Sequence, residues 1–246
     1  MGVQTVSLQT VYLPHLDASV VENLKREFRE RNLTPVLAWG HRSGLEAGRN
    51  PAKLLDLMQT MKVARELGCR LVRIVTGDQT HWPIAADKRI AALRPLLSEV
   101  GAAAKDLRLT VAIENHADFA MADLVRLVEA VAARNVGICF DSGNAVRVGD
   151  NLHAAAVLAG PHIRMVHLKD MVIQEASRGN PDAWWPVAPL GRGHFDLPRL
   201  IGHLQDAGYE GALFIEMANM FTEWPDEDAA VAASVEYLRT LSIGIN

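Results

Sequence analysis

Cys69 and Cys139 are the only cysteines in 246 residues, and neither stands at a spacing that suits a metal. Both sit in or beside apolar runs, so we read them as buried thiols in a reducing cytoplasm. No apolar run approaches the roughly 18 residues that a bilayer span needs, and the N-terminus has no basic flank leading into an apolar segment. We therefore expect no membrane partner. Positive charge is also in short supply. A formal net charge of −4 gives no general attraction to nucleic acid or anionic lipid. No Gly-x-Gly-x-x-Gly follows the first strand-like run, which counts against a dinucleotide site. No low-complexity stretch or Ser/Gly linker divides the chain, so we expect one domain over residues 1–246.

What the chain does have is apolar residues, 49% of the total, enough for a large core. Short apolar or β-branched runs bounded by turn residues read as buried strands, and they begin near 5, 34, 71, 108, 136, 163 and 212. Most gaps between them hold one helical pattern. Thr5 to Leu13 is strand-like, and Ser19-Val-Val-Glu22 has the spacing of a capping box. Leu54, Leu55, Met58, Met61 and Leu67 mark a second helix. A long Ala-rich helix is expected from about Ile84 to Lys105, and another carries Leu124, Leu127, Val128 and Val131 on one face. Strands alternating with helices imply a parallel sheet with right-handed crossovers.

Four successive runs stop on a residue that binds metals. Leu109-Thr-Val-Ala-Ile113 ends on Glu114, and Val136-Gly-Ile-Cys-Phe140 on Asp141. Ile163-Arg-Met-Val166 ends on His167, and Ala212-Leu-Phe-Ile215 on Glu216. Any one of these is a weak signal, because an acid at a strand end is often only a helix cap. Four in a row describe a metal site at the mouth of a parallel barrel. Three carboxylates and one imidazole make a mostly hard site that suits Mn²⁺ best, with Mg²⁺, Co²⁺ or Zn²⁺ as alternatives. Their combined formal charge of −3 would be hard to hold together without a cation.

Ile113-Glu-Asn-His116, Phe140-Asp-Ser-Gly-Asn144, Val166-His-Leu-Lys-Asp170, Leu190-Gly-Arg-Gly-His-Phe-Asp196 and Phe214-Ile-Glu216 together resemble the xylose isomerase-like TIM-barrel superfamily. The resemblance spans about residues 5 to 242 and is nearest to the sugar phosphate isomerase/epimerase branch, with its ketose 3-epimerases and inosose dehydratases. It implies a TIM barrel with Glu114, Asp141, His167 and Glu216 as metal ligands, and with Glu114 and Glu216 as an acid/base pair. The implied reaction passes through a metal-stabilised enediolate of a small ketose or keto-polyol. Two departures stand out. Asn144 occupies a position where the epimerases and the DNA-repair branch have His, which puts a His-based dehydratase mechanism in doubt. Only three strands precede Glu114, so the first βα unit is missing and seven strands remain. We expect a late start relative to the family rather than a true seven-stranded barrel.

Other residues carry paired readings. Lys169 polarises a substrate oxygen or moves a proton, or else forms a salt bridge with Asp170 or Glu216. His116 contacts substrate or supports the ligands. Trp39 stacks on a sugar or packs the mouth. Arg192 and His194, flanking a Gly191/Gly193 turn, meet a phosphate or carboxylate. Asp78, His81 and His41 read as loop polar groups. The long segment from Met171 to Pro189, with Gly179-Asn-Pro181 and Trp184-Trp185-Pro186, is a lid or an oligomer contact, which leaves a homodimer or homotetramer open. The main expectation is a cytoplasmic isomerase or epimerase of a small sugar. An inosose-type dehydratase is the near rival. An endonuclease IV-like DNA enzyme and an inactive sugar-binding protein are weaker ones.

Overall fold

Every expected strand is present within two residues of its expected start. The computed structural model describes residues 2–13, 15–41, 43–172 and 185–241. One parallel sheet runs in the order β1 (Thr5–Gln9), β2 (Thr34–Ala38), β3 (Leu71–Ile74), β4 (Thr110–Glu114), β5 (Val136–Asp141), β6 (Ile163–Leu168) and β9 (Leu213–Ile215). Between β6 and β9 lie two short antiparallel strands, β7 (Asp170–Met171) and β8 (Val187–Ala188), which the sequence reading did not anticipate. The sheet curls into a nearly closed barrel. Strand β1 pairs only with β2, and β9 only with β6, so among the described residues no ladder joins the two ends. A cleft of about 390 Å³ follows that seam, lined by Gln4 and Thr5 on one side and Leu213 to Ile215 on the other.

The helices wrap the outside as α1 (Ala18–Glu30), α2 (Lys53–Glu66), α3 (Ala86–Asp106), α4 (Met121–Val131), α5 (Ser142–Arg147), α6 (Leu152–Ala159), α7 (Leu197–Asp206) and α8 (Glu227–Thr240). Short polar side chains start several of them by accepting orphan N–H groups. Asp17 accepts from Ser19 and Val20 to open α1, so the expected capping box at Ser19 is replaced by an Asp two residues earlier. Asn151, Asp196 and Asp226 open α6, α7 and α8 in the same way. The expected strand from Thr5 to Leu13 stops at Gln9, where a single 3-10 turn over Thr10–Tyr12 takes over. In α2 the buried stripe runs through Leu57, Met61 and Ala64. Leu55 stands 71% exposed, because consecutive residues on a helix point about 100° apart and Leu54 already faces inward.

Two apolar cores result. The larger fills the space between sheet and helices, with Leu37, Leu57, Leu97, Ile113, Phe140 and Leu200 among its members. The smaller fills the barrel: Val36, Ala112, Cys139 and Met165, packed with Leu71 and Phe214. Strand side chains alternate between these two environments, so the strands are apolar on both faces. Among the described residues no helix is long and apolar enough to cross a membrane.

Phe140 is fully enclosed in the outer core. Phe140→Ala is expected to lose about 3–5 kcal/mol, whereas Leu55→Ala should change stability by less than about 0.5 kcal/mol. Urea unfolding of the two variants checks both.

Candidate metal centre

The inner core sets the geometry of the mouth. Two residues beyond Ala112, Cys139, Met165 and Phe214 come Glu114, Asp141, His167 and Glu216, and the period of two puts all four on the inner face. Register carries them to a common height. Asp141 stands opposite His167 and His167 opposite Phe214, while Glu114 is level with Cys139, one step lower, as the stagger of a barrel requires. One ligand atom from each of the four lies within 4.8 Å of all the others. His167 Nδ1 is 2.8 Å from Glu216 Oε2, 3.7 Å from Glu114 Oε2 and 3.9 Å from Asp141 Oδ2.

Side-chain bonds clamp the strand tips where the ladder ends. The Asn115 amide donates to the Asp141 carbonyl at 2.9 Å and accepts the Asp141 N–H at 2.7 Å, tying β4 to β5. The Ser142 hydroxyl donates to the Lys169 carbonyl and accepts the Lys169 N–H, both at 2.8 Å, tying β5 to β6. Asp141 caps α5 through Oδ1, which accepts from Asn144 N–H at 2.8 Å. Its other oxygen accepts from Lys169 Nζ at 2.7 Å, and Lys169 also lies 3.4 Å from Glu216. Asn144 Nδ2 donates to Glu114 Oε1 at 3.1 Å.

The expected charge of −3 is not left bare. Lys169 offsets part of it, and so does Arg73, a buried inward residue of β3 that forms an ion pair with Glu114 Oε2. Sequence reading passed over Arg73 because it lies inside an apolar run. Its signal was available: it stands two residues beyond the inner-core Leu71, in step with the four mouth residues. Burial pushes Glu114 toward its neutral form, yet Arg73 and His167 outweigh that and hold its pKa below the ordinary value. Burial acts on Glu216 in the same sense, and Lys169 and His167 override it to keep Glu216 well below the usual range. For Asp141 burial prevails over Lys169 and the pKa is raised. Burial opposes charge on Lys169 too, but Asp141 and Glu216 raise its pKa, so it stands as a fixed cation rather than a proton carrier.

These residues fit a divalent cation. Three buried atoms turned into the centre, Glu114 Oε2, His167 Nδ1 and Glu216 Oε2, meet charged neighbours but form no well-aligned hydrogen bond. Three carboxylates against only two permanent cations leave a net negative charge once His167 is neutral, which a hard cation would meet.

The other candidates divide. His116 sits half-buried at the mouth with Nδ1 3.3 Å from the Gly77 carbonyl. Trp39 does not face the barrel. Its neighbour Ala38 ends β2 on the inner face, so the indole turns outward, buried, and Nε1 donates to Asp56 of α2 at 2.6 Å. Substrate stacking by Trp39 is thereby corrected to packing. The turn around Arg192 is corrected as well. The N–H groups of Gly191, Gly193 and Phe195 converge at 2.9, 2.9 and 3.1 Å on the buried carboxylate of Asp170, so the turn's own anion fills it. Arg192 itself is exposed. Asp78 and His81 form a capping box around the turn Gln79–His81, as loop polar groups. In the expected lid, Gly179, Pro181 and Trp184 lie outside the described residues.

The model of the xylose isomerase-like TIM barrel family matches residues 1–241. The chain belongs to that family. Among curated proteins, 3-oxo-isoapionate decarboxylase of Pectobacterium atrosepticum is 27% identical over 126 residues, 51% of this chain and 44% of that protein. The chain thus aligns with less than half of that relative's length. Among solved structures, an IOLI protein with a bound zinc atom superposes with a TM-score of 0.78 at 18% identity, over 98% of this chain and 88% of that one. An L-ribulose 3-epimerase superposes with a TM-score of 0.76 at 17% identity, over 98% and 84%. At these identities the likeness is one of fold.

Two outcomes test this geometry. Burial works against a charged His167, but Cys139 and Glu216 raise its pKa well above 6.5. In the metal-free protein that charge stabilises the fold below about pH 6.5 and is lost as the pH rises through the folded-state value. A cation on Nδ1 must displace the proton, so Mn²⁺ affinity is expected to climb from about pH 6 to about pH 8. Calorimetric titration at several pH values checks this, and a flat profile would contradict it. In the turn, a Cβ on Gly193 would stand 2.1 Å from Asp170 Oδ1, so Gly193→Ala should lower the melting temperature clearly. Gly202→Ala, with open space at its Cβ, should not.

Proposed function

We propose that the chain is a divalent-cation-dependent isomerase or epimerase of a small ketose or related keto-polyol, with Mn²⁺ as the preferred ion. Mg²⁺, Co²⁺ and Zn²⁺ are the alternatives, and the zinc atom of the IOLI protein lends weight to the last. One observation carries the reading: Glu114, Asp141, His167 and Glu216 converge within 4.8 Å, with buried atoms facing inward that form no well-aligned hydrogen bond. When bound, the cation would polarise a substrate carbonyl, because a proton beside a carbonyl is too weakly acidic for an unaided carboxylate.

The remaining work falls to the chain's own residues. Glu114 and Glu216 come from β4 and from the end of β9, well apart around the barrel, and both are held ionised. One takes a proton from carbon as the ionised base; the other, after itself taking up a proton from solvent, delivers that proton at the other face or the neighbouring carbon. Glu216 is the more accessible, with 22% of its side chain exposed against 1% for Glu114. Lys169 Nζ and Asn144 Nδ2 are donors at the same centre and would orient substrate oxygens. His116, at the rim, supplies a further polar contact.

A second reading has a specific support. The curated relative is a decarboxylase of a 3-oxo compound. Loss of carbon dioxide from a 3-oxo acid leaves negative charge on the same carbonyl oxygen, so the same residues serve that chemistry.

Incubation of the Mn²⁺-loaded protein with ketoses in D₂O separates the readings. Deuterium entering at carbon, with an isomeric product, is expected. Carbon dioxide from a 3-oxo acid would favour the decarboxylase, and loss of water from an inosose the dehydratase. Glu114→Gln and Glu216→Gln should each lower kcat by about 100-fold or more. EDTA should abolish turnover and Mn²⁺ restore it. A metal-loaded protein that leaves every such substrate unchanged, with no exchange at carbon, would overturn the enzyme reading.

A further inference from the structure

We propose that Arg73 is a built-in counter-ion that takes the place of the cation at Glu114 in the metal-free protein, and thereby weakens the grip of the centre on its metal. The inference rests on the metal-dependent reading above and concerns a residue to which that reading gives no part.

Arg73 is one of two permanent cations within the cluster, and its position differs from that of Lys169. Lys169 comes from the rim, beside the more exposed Glu216. Arg73 comes from below, out of the barrel interior. It stands level with Ala112 on the neighbouring strand, one alternation beneath Glu114. The residues around it on the inner face, Leu71, Val36, Ala112, Cys139 and Met165, are neutral. Its only close acidic partner there is Glu114 Oε2. That oxygen is also one of the three atoms that face the centre without a well-aligned hydrogen bond. Cation and guanidinium therefore compete for the same atom.

The charge balance decides the consequence. Without an ion, Glu114, Asp141 and Glu216 carry three negative charges against the two fixed positive charges of Arg73 and Lys169, and the imidazole of His167 lies among them. Take Arg73 away and a carboxylate buried to 1% exposure has lost the permanent cation in direct contact with it. Such a residue is strongly destabilising when left alone. Adding a divalent ion to the native cluster brings it close to a fixed positive charge, which repels it in a medium far less polarisable than water. Arg73 thus makes the folded state independent of metal and the metal exchangeable. Asn144, bonded to the other oxygen of Glu114, keeps the carboxylate aimed while Oε2 changes partner.

Arg73→Met tests the inference, since methionine fills much of the same volume without charge, and Arg73→Lys restores the charge. Melting temperature in EDTA and in Mn²⁺, together with Mn²⁺ affinity by calorimetry, are the readouts. Arg73→Met is expected to melt lower than the native protein in EDTA and to gain more on adding Mn²⁺. It should bind Mn²⁺ at least about tenfold more tightly, the direction set by removing a like charge. Arg73→Lys should return both quantities toward native. If Arg73→Met yields folded protein only when refolded with Mn²⁺, the inference is equally supported. If it fails to fold with or without Mn²⁺, the inference is overturned. It is also overturned, alone, if Arg73→Met melts lower but binds Mn²⁺ with native or weaker affinity, since Arg73 would then only pack or aim Glu114. If the native protein binds no divalent cation at all, the metal reading fails and takes this inference with it.

Discussion

Three carboxylates gathered within 4.8 Å of one another repel, and the organisation of the barrel mouth follows from how that repulsion is met. In a buried site like charges interact far more strongly than in water. The chain answers with Lys169 at the rim, Arg73 from beneath and the imidazole of His167 between them. Each carboxylate differs in consequence. Glu114 is enclosed and doubly engaged by Arg73 and Asn144. Asp141 spends one oxygen on capping α5 and the other on Lys169. Glu216 stays partly open to solvent. A pair of acids in unlike surroundings is what proton transfer in two directions calls for.

The mouth is held stiffly enough for those differences to persist. Beyond the last ladder bond a strand end would ordinarily fray. Asn115 and Ser142 supply two hydrogen bonds each across to the neighbouring strand at that height. The buried Asp170 carboxylate then gathers three N–H groups of the following turn. A glycine-rich turn that would otherwise suit an outside anion is thus consumed by a residue of the same chain. Preorganised polar groups of this sort cost nothing to reorient when a reaction begins.

The same alternation that builds the barrel builds the site. Along each of four strands, one inward residue belongs to the small inner core and the next belongs to the mouth. The inner core is small because Ala112 and Cys139 are small, and Arg73 enters the barrel beside them. The outer core, much larger, carries the bulk of the apolar burial and with it most of the stability. Chemistry and stability are therefore lodged on opposite faces of the same strands.

Strand positions, the parallel barrel and the convergence of Glu114, Asp141, His167 and Glu216 were all legible in the residues, because each depends on local patterns: short apolar runs, a period of two, and an acid or imidazole at the end of the run. The cap at Asp17 and the outward turn of Leu55 were misplaced by only a residue or two, since capping and helical phase are decided by which neighbour packs best. Trp39 and Arg192 could not be assigned from sequence, because a strand's facing and a turn's occupant depend on residues far away, Ala38's inner neighbours in one case and Asp170 in the other. Arg73 shows the limit most plainly. Its spacing was visible, but its meaning arises only when β3 and β4 lie side by side and set a guanidinium beneath Glu114. The order of residues determined which groups reach the mouth; the stagger of the curled sheet decided which of them meet, because charge pairing acts through space and takes no account of distance along the chain.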